Sequence, residues 1–168
     1  PSGNTASTAG TPGSYNCVQG SLTTNGSTAL GPLVQKVAAD YQSKCSGASI
    51  TVQLTGSGAG LAAVSGGNAG IGNSDVYASA TKYPGLVDHQ VAVIPFAVVL
   101  NSQVTGVSNL TSAQIKDIYT GKVTNWKQVG GPSLPIVVIS RPSGSGTRVT
   151  FEQFVLGGTA ESVSGPSH

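Results

Sequence analysis

Hydrophobic positions along the chain switch period several times. In residues 27–44, STALGPLVQKVAADYQSK, the residues Leu30, Leu33, Val34, Val37, Ala38 and Tyr41 recur at three- and four-residue spacing. That predicts a helix with these six on its apolar face. Ser27 or Thr28 can cap its start, and Pro32 suits a first turn, where a missing N–H costs nothing. Period two follows, because Ile50, Val52 and Leu54 alternate in SITVQL and predict a strand. A short helix around Leu61–Val64 is expected to end at Gly66-Gly67. AGIGNSD then predicts a short strand closing on Ser74-Asp75. VAVIPFAVVLN, residues 91–101, predicts a long buried strand broken at Pro95. Thr111 and Gln114 form a capping-box pattern ahead of Ile115, Ile118 and Tyr119, with Gly121 placed to end that helix. PIVVIS predicts one more strand, which runs into SRPSGSGTRVTF. Beyond it Val149, Phe151, Phe154 and Val155 predict a helix stopped by Gly157-Gly158. No internal repeat is visible.

Helices alternating with strands predict an α/β fold with substantially parallel pairing. In such folds ligands bind beyond the carboxyl ends of strands. Small-residue motifs fall at such ends, at residues 56–60, 74–75 and 141–147, and a fourth at 26–29 opens a helix. Four loops of matching chemistry can converge on one crevice.

Composition narrows the partners. The 168 residues suffice for one domain or two small lobes, only 8% of them are charged, and the net charge is +2. A nucleic-acid surface needs clustered Lys and Arg, so that partner is excluded. A neutral polar composition suits a secreted or cell-surface protein. Two cysteines occur, Cys17 and Cys45. A bridge between them would close a loop of about 29 residues, contribute roughly 3–4 kcal/mol and imply an oxidising compartment; two unpaired thiols are the alternative. No Cys or His cluster suggests a metal. The apolar run at Val91–Leu100 is too short to span a membrane. Residues 1–14, PSGNTASTAGTPGS, lack the apolar surface to fold and read as a disordered tail or a spacer from a membrane anchor.

The candidate chemistry is anion capture. GSGTR, Gly144–Arg148, offers backbone N–H groups at a helix start and the hydroxyls of Ser145 and Thr147, with Arg141 close by as a forked cation. It is not the nucleotide-phosphate loop, which needs a lysine where none stands. TGSGAG, Thr55–Gly60, repeats the arrangement with Ser57 as its hydroxyl. GST, Gly26–Thr28, is explained by capping alone. Asp75 is the oddity, because a carboxylate repels an anion unless the anion brings a proton for it to accept. Hydrogen phosphate brings one and sulfate at neutral pH does not, so Asp75 would select against fully ionised oxyanions. Asp75 could also pair with Arg141 and orient its fork. His89 reads as a surface residue and Trp126 as packing beneath a loop. No G-x-S-x-G elbow occurs, and Asp40, Asp88, Asp117 and Glu152 show no acid–base or metal pairing.

With these motifs assembled, the chain resembles the phosphate-binding proteins that feed ABC-type phosphate importers, which share the type II periplasmic-binding-protein fold. GSTALGPLVQKVAADY, LTGSGAGLAAVSGGNAGIGNSDVYAS, LTSAQIKDIYTGKVTNWKQVGG and VVISRPSGSGTRVTFEQFVLGG match family segments in family order, over about residues 20–158. The resemblance implies two α/β lobes, incomplete at the C-terminus: a flexible tail at 1–19, a first-lobe segment at 20–95 and a second-lobe segment at 96–168. It implies phosphate contacts from Thr28, the Ala29 backbone N–H, Ser57, Asp75, Arg141, Ser145, Gly146 and Thr147, with Ser27 adjacent. Some members carry an aromatic residue where Ala29 stands. The implied function is periplasmic or extracellular high-affinity phosphate binding for an importer, without catalysis or cofactor. The implied partners are inorganic phosphate and the importer's membrane subunits. Family members are roughly twice as long, so a separate chain carrying the remaining half is a further expected partner. The alternatives are a binder of another oxyanion, an enzyme acting on phosphate esters, and a surface sensor or adhesion module.

Overall fold

The computed structural model describes residues 15–162. Of the flexible tail expected at 1–19, residues 1–14 lie outside them, and residues 15–19 are tied to the end of the first helix through the Cys17–Cys45 disulfide and Tyr41. The element order is β1 (Gly20–Gly26), α1 (Gly31–Lys44), β2 (Ala48–Gln53), α2 (Ser57–Ser65), β3 (Ile71–Asn73), α3 (Ser112–Tyr119), a 3-10 turn (Trp126–Val129) and α4 (Gly146–Phe154). The three strands form one parallel sheet in the order β2-β1-β3.

β1 is the central strand, and periodicity does not reveal it. Its sequence GSLTTNG has one large apolar residue, Leu22. Its place is set by pairing on both sides, from Gly20 opposite Ala48 through Asn25 opposite Gln53, and from Thr24 opposite Ile71 through Gly26 opposite Asn73. At its end Gly26 adopts φ +144°, and a Cβ there would overlap the Asn73 carbonyl. That close approach lets the Ser27 N–H donate to the same carbonyl at 2.7 Å.

α1 packs on β2, and α2 packs on β1 and β3. The expected apolar face of α1 is only partly inward. Ala38 is buried, as is Leu30 just ahead of the helix, but Leu33 and Val37 are 48% and 57% exposed. They lie on the flank of the helix, beyond the width that β2 covers. Pro32 does stand in the first turn, and Leu30 is the N-cap residue, without a side-chain cap. β2 alternates as its sequence predicts, with Ile50 and Val52 less exposed than their neighbours. α2 starts earlier than expected, at Ser57, and ends at Gly66.

The second half of the chain departs most from expectation. Residues 91–100 form no strand: Val91, Val93 and Val99 are 76%, 83% and 85% exposed. Residues 136–139 form none either: Pro135 bridges to Asn125, the Ile136 N–H donates to the Thr124 carbonyl at 2.8 Å, and Ser140 forms an isolated bridge. Both runs carry strand-like side chains, but a strand also needs a continuous neighbour for its ladder hydrogen bonds; among the described residues 91–100 has none and 136–139 has only the contact at Ile136. α3 does form as predicted, with Thr111 and Gln114 completing the capping box in both directions. Trp126 is buried. α4 carries the predicted helix, and Leu156 beyond it is fully buried. Tyr119 of α3 stacks on Phe151 of α4 with ring centroids 4.6 Å apart.

Cys17 and Cys45 form a disulfide, with Cα atoms 5.3 Å apart. The segment before β1 is thereby fixed to the end of α1. Tyr41 reinforces the joint, its hydroxyl accepting from the Val18 N–H at 3.1 Å while its ring meets Tyr15 edge-on. No helix among the described residues is long and apolar enough to cross a membrane.

Candidate anion-binding site

Parallel pairing brings the carboxyl ends of β1, β2 and β3 to one edge of the sheet. The loops leaving those ends carry Ser27-Thr28-Ala29, Gly56-Ser57 and Ser74-Asp75. The start of α4 joins them from the second half of the chain. The Gly58 N–H donates to the Gly144 carbonyl at 3.1 Å, which ties the α2 and α4 loops together. A Cβ on Gly146 would come within 2.9 Å of Asp75 Oδ2 and closer still to Ser57 Oγ, so only glycine fits there.

Asp75 occupies the centre. The Ser27 hydroxyl donates to Asp75 Oδ1 at 2.6 Å, and the Thr147 hydroxyl reaches Oδ2 at 3.5 Å. The Asp75 N–H donates to Ser57 Oγ at 3.1 Å. Ser27 and Ser57 are each 1% exposed. Ser27 Oγ also accepts from the Leu30 N–H at 3.2 Å, so one hydroxyl caps α1 and anchors the carboxylate. Ser57 accepts from Asp75, and its own hydroxyl hydrogen finds no acceptor among the described residues.

Arg141 closes the other side. Its Nη2 donates to Thr28 Oγ1 at 2.6 Å, joining positions 113 residues apart. Its Nε is buried and has no hydrogen-bond partner among the described residues. Arg141 does not pair with Asp75; the partners of that carboxylate are hydroxyls, and the arginine reaches the α1 loop instead. The direct pairing expected from sequence is thus replaced by an arrangement in which cation and carboxylate each keep bonding capacity.

Helix starts supply the remaining donors. The first turn of a helix leaves its N–H groups without intrahelical acceptors, and the helix dipole adds partial positive charge there. The loop of Thr28 and Ala29 leads into α1, Ser57 opens α2, and Ser145 is the N-cap of α4. None of the three starts has a side-chain cap from its N-cap residue. Ser145 and Gly146 are buried, whereas Thr28 and Ala29 are exposed. The eight positions expected from sequence therefore lie on loops that meet in one place. A cluster of hydroxyls and free N–H groups around one guanidinium and one carboxylate can bind an oxyanion that carries a proton.

Sequence reasoning missed the support behind Arg141. Arg148 Nε lies 3.0 Å from Glu152 and 2.9 Å from Glu161, and Arg148 Nη1 donates to the Arg141 carbonyl at 3.2 Å. The i,i+4 spacing of Arg148 and Glu152 was a readable signal; Glu161, nine residues further on, offered none. Burial, and after it the charge of Glu161, push the Tyr119 hydroxyl above its usual pKa. Among the described residues no group of His, Cys, Asp and Glu could hold a metal ion.

Comparison with known proteins agrees with this geometry. Residues 7–167 match the family model described as a PBP superfamily domain. Over 149 residues the chain is 44% identical to the phosphate-binding protein PstS of Bacillus subtilis, covering 87% of this chain and 49% of that protein. A candidate phosphate ABC transporter substrate-binding protein from Clostridium perfringens, solved with bound phosphate, superposes with a TM-score of 0.75 at 39% identity. The match covers 81% of this chain and 56% of that one. An ABC-type phosphate transport receptor from Vibrio cholerae gives a TM-score of 0.62 at 33% identity, covering 81% and 55%. The chain spans about half the length of the relatives it matches. Three parallel strands delivering their loops to one edge, a family match over nearly the whole length and these likenesses lead to one statement: the chain belongs to the PBP superfamily and is similar to its phosphate-binding proteins.

Proposed function

We propose that this chain carries the anion-contacting loops of a solute-binding protein that captures inorganic phosphate, outside the cytoplasmic membrane, for an ABC importer. One observation supports the reading most: Arg141 Nε is buried and unpartnered among the described residues, while Nη2 of the same guanidinium donates to Thr28 in the loop before α1. A buried donor without an acceptor costs free energy unless a ligand supplies one. In this reading Arg141 gives charge-assisted bonds. The hydroxyls of Thr28, Ser57, Ser145 and Thr147 and the N–H groups of Ala29 and Gly146 give neutral ones. Asp75 accepts the ligand's proton. The names of the relatives, which specify phosphate, support the same ligand.

The division into a first-lobe segment at 20–95 and a second-lobe segment at 96–168 belongs to this proposal. It is supported by the confinement of the sheet to Gly20–Asn73 and by the arrival of Arg141 and α4 from the second segment. The exposed apolar runs at 91–99 and 136–139 support a complementing polypeptide that pairs with them. The disulfide supports an oxidising compartment.

Titration calorimetry with phosphate and with sulfate tests the reading. Phosphate is expected to bind and sulfate to bind far more weakly or not at all. Equal binding of the two would remove the role given to Asp75. Release of a chromogenic product from a phosphate ester would favour the enzyme alternative.

A further inference from the structure

The stretch that delivers Arg141 has no sheet to hold it. Residues 136–139 form no strand, and the backbone pairing nearby is limited to the Ile136 N–H donating to Thr124 and an isolated bridge at Ser140; Val137 and Ile139 are 69% and 57% exposed, and Pro142 has no N–H to donate. Yet the peptide at Ser140-Arg141 is gripped from both sides. The Ser140 hydroxyl donates to Glu161 Oε1, and Arg148 Nη1 donates to the Arg141 carbonyl at 3.2 Å. The gripping groups hold one another. Arg148 Nε reaches Glu161 at 2.9 Å and Glu152 at 3.0 Å, and the Glu161 N–H donates to Glu152 at 3.2 Å. The Glu161 side chain is 2% exposed.

Stability alone is a poor reason for such a cluster. Two carboxylates and one guanidinium leave one negative charge in excess, and buried ion pairs roughly break even against their desolvation. Geometry gives a better one. A guanidinium has five donors in a rigid fork, enough to meet two carboxylates and a carbonyl together, which an ammonium on a flexible stem cannot reproduce.

We propose that Arg148, locked by Glu152 and Glu161, is a positioning residue that clamps the Ser140-Arg141 backbone and so aims the Arg141 guanidinium at the bound anion. The inference rests on the phosphate reading for its affinity measurement and is independent of it for its ligand-free one. The clamp supplements the isolated bridge at Ser140, where a continuous ladder would otherwise fix a strand end carrying a binding residue.

A double-mutant cycle tests it. Arg148→Lys is expected to weaken phosphate binding about tenfold, both alone and in a Ser145→Ala background, with the loss shrinking to under about twofold beside Arg141→Lys. A tenfold loss that persists beside Arg141→Lys would mark a merely structural role and overturn the proposal. The second measurement needs no anion. Relaxation of the 15N-labelled Arg141 Nε is expected to report an ordered side chain in the unaltered protein and a looser one in Arg148→Lys. Unchanged order would overturn the clamp even if phosphate did not bind, and absence of binding in the unaltered protein would count against the phosphate reading alone. Glu152→Gln, at a site 23% exposed, is the milder variant and is expected to move both readouts in the same direction.

Discussion

At the scale of single residues, the proposed function gives Asp75 the discriminating role. It accepts from Ser27 and Thr147, and its second oxygen keeps capacity for a proton brought by a ligand. Asp75→Asn removes the charge that repels a fully ionised oxyanion and adds a donor. The expected outcome is weaker phosphate binding together with measurable sulfate binding, read by paired calorimetric titrations. Gly146 makes a second prediction. Gly146→Ala forces a Cβ against Ser57 and to within 2.9 Å of Asp75 Oδ2. Phosphate affinity should fall by roughly a hundredfold or more, equivalent to about 3 kcal/mol of overpacking. The unfolding midpoint should fall with it, because the clash is also present without ligand. The small-residue loops were legible in the sequence because donors at helix starts have a local signature. What Asp75 pairs with was not. That depended on Ser27 standing 48 residues away in the chain and adjacent in space.

At the scale of elements, local signals succeeded where the chain supplies its own hydrogen-bond partners. The capping box of α3 is the clear case, with Thr111 Oγ1 accepting from the Gln114 N–H at 3.2 Å and Gln114 Oε1 accepting from the Thr111 N–H at 2.9 Å. Thr111→Ala should cost about 1 kcal/mol, seen in urea titration as a lower midpoint with unchanged slope. Strand assignments failed in both directions, for one reason. β1 forms with a single large apolar residue because two neighbours flank it, whereas 91–100 and 136–139 have the side chains of strands but no continuous flanking strand among the described residues. Pairing is a property of two segments, so no periodicity within one can reveal it. The same reasoning applies to Leu33 and Val37, whose helical spacing is right and whose exposure reflects how little lies opposite them.

At the scale of the whole molecule, the packing of α3 against α4 joins the second half of the chain to its binding loop. Tyr119 lies in that contact beside Glu161, and its raised pKa sets an alkaline limit. The folded state keeps a proton that the unfolded chain has released, so this contribution to stability is complete below about pH 10 and is lost as the pH rises through the folded-state value. Tyr119→Phe should flatten the fall in unfolding free energy above about pH 10, while the unaltered protein shows it. The site at the opposite end of α4 should be insensitive to this titration at neutral pH.

The bridge between Cys17 and Cys45 fastens the segment before β1 to the residue that caps the carboxyl end of α1. The binding loops lie at the other end, and fourteen helical residues separate the two ends by about 21 Å. Tyr15, where the described residues begin, therefore lies at the end of α1 away from those loops. A surface, a bead or a fused protein linked through that end would leave the cup facing open solution, and reducing the bridge would let the attachment point wander without emptying the cup.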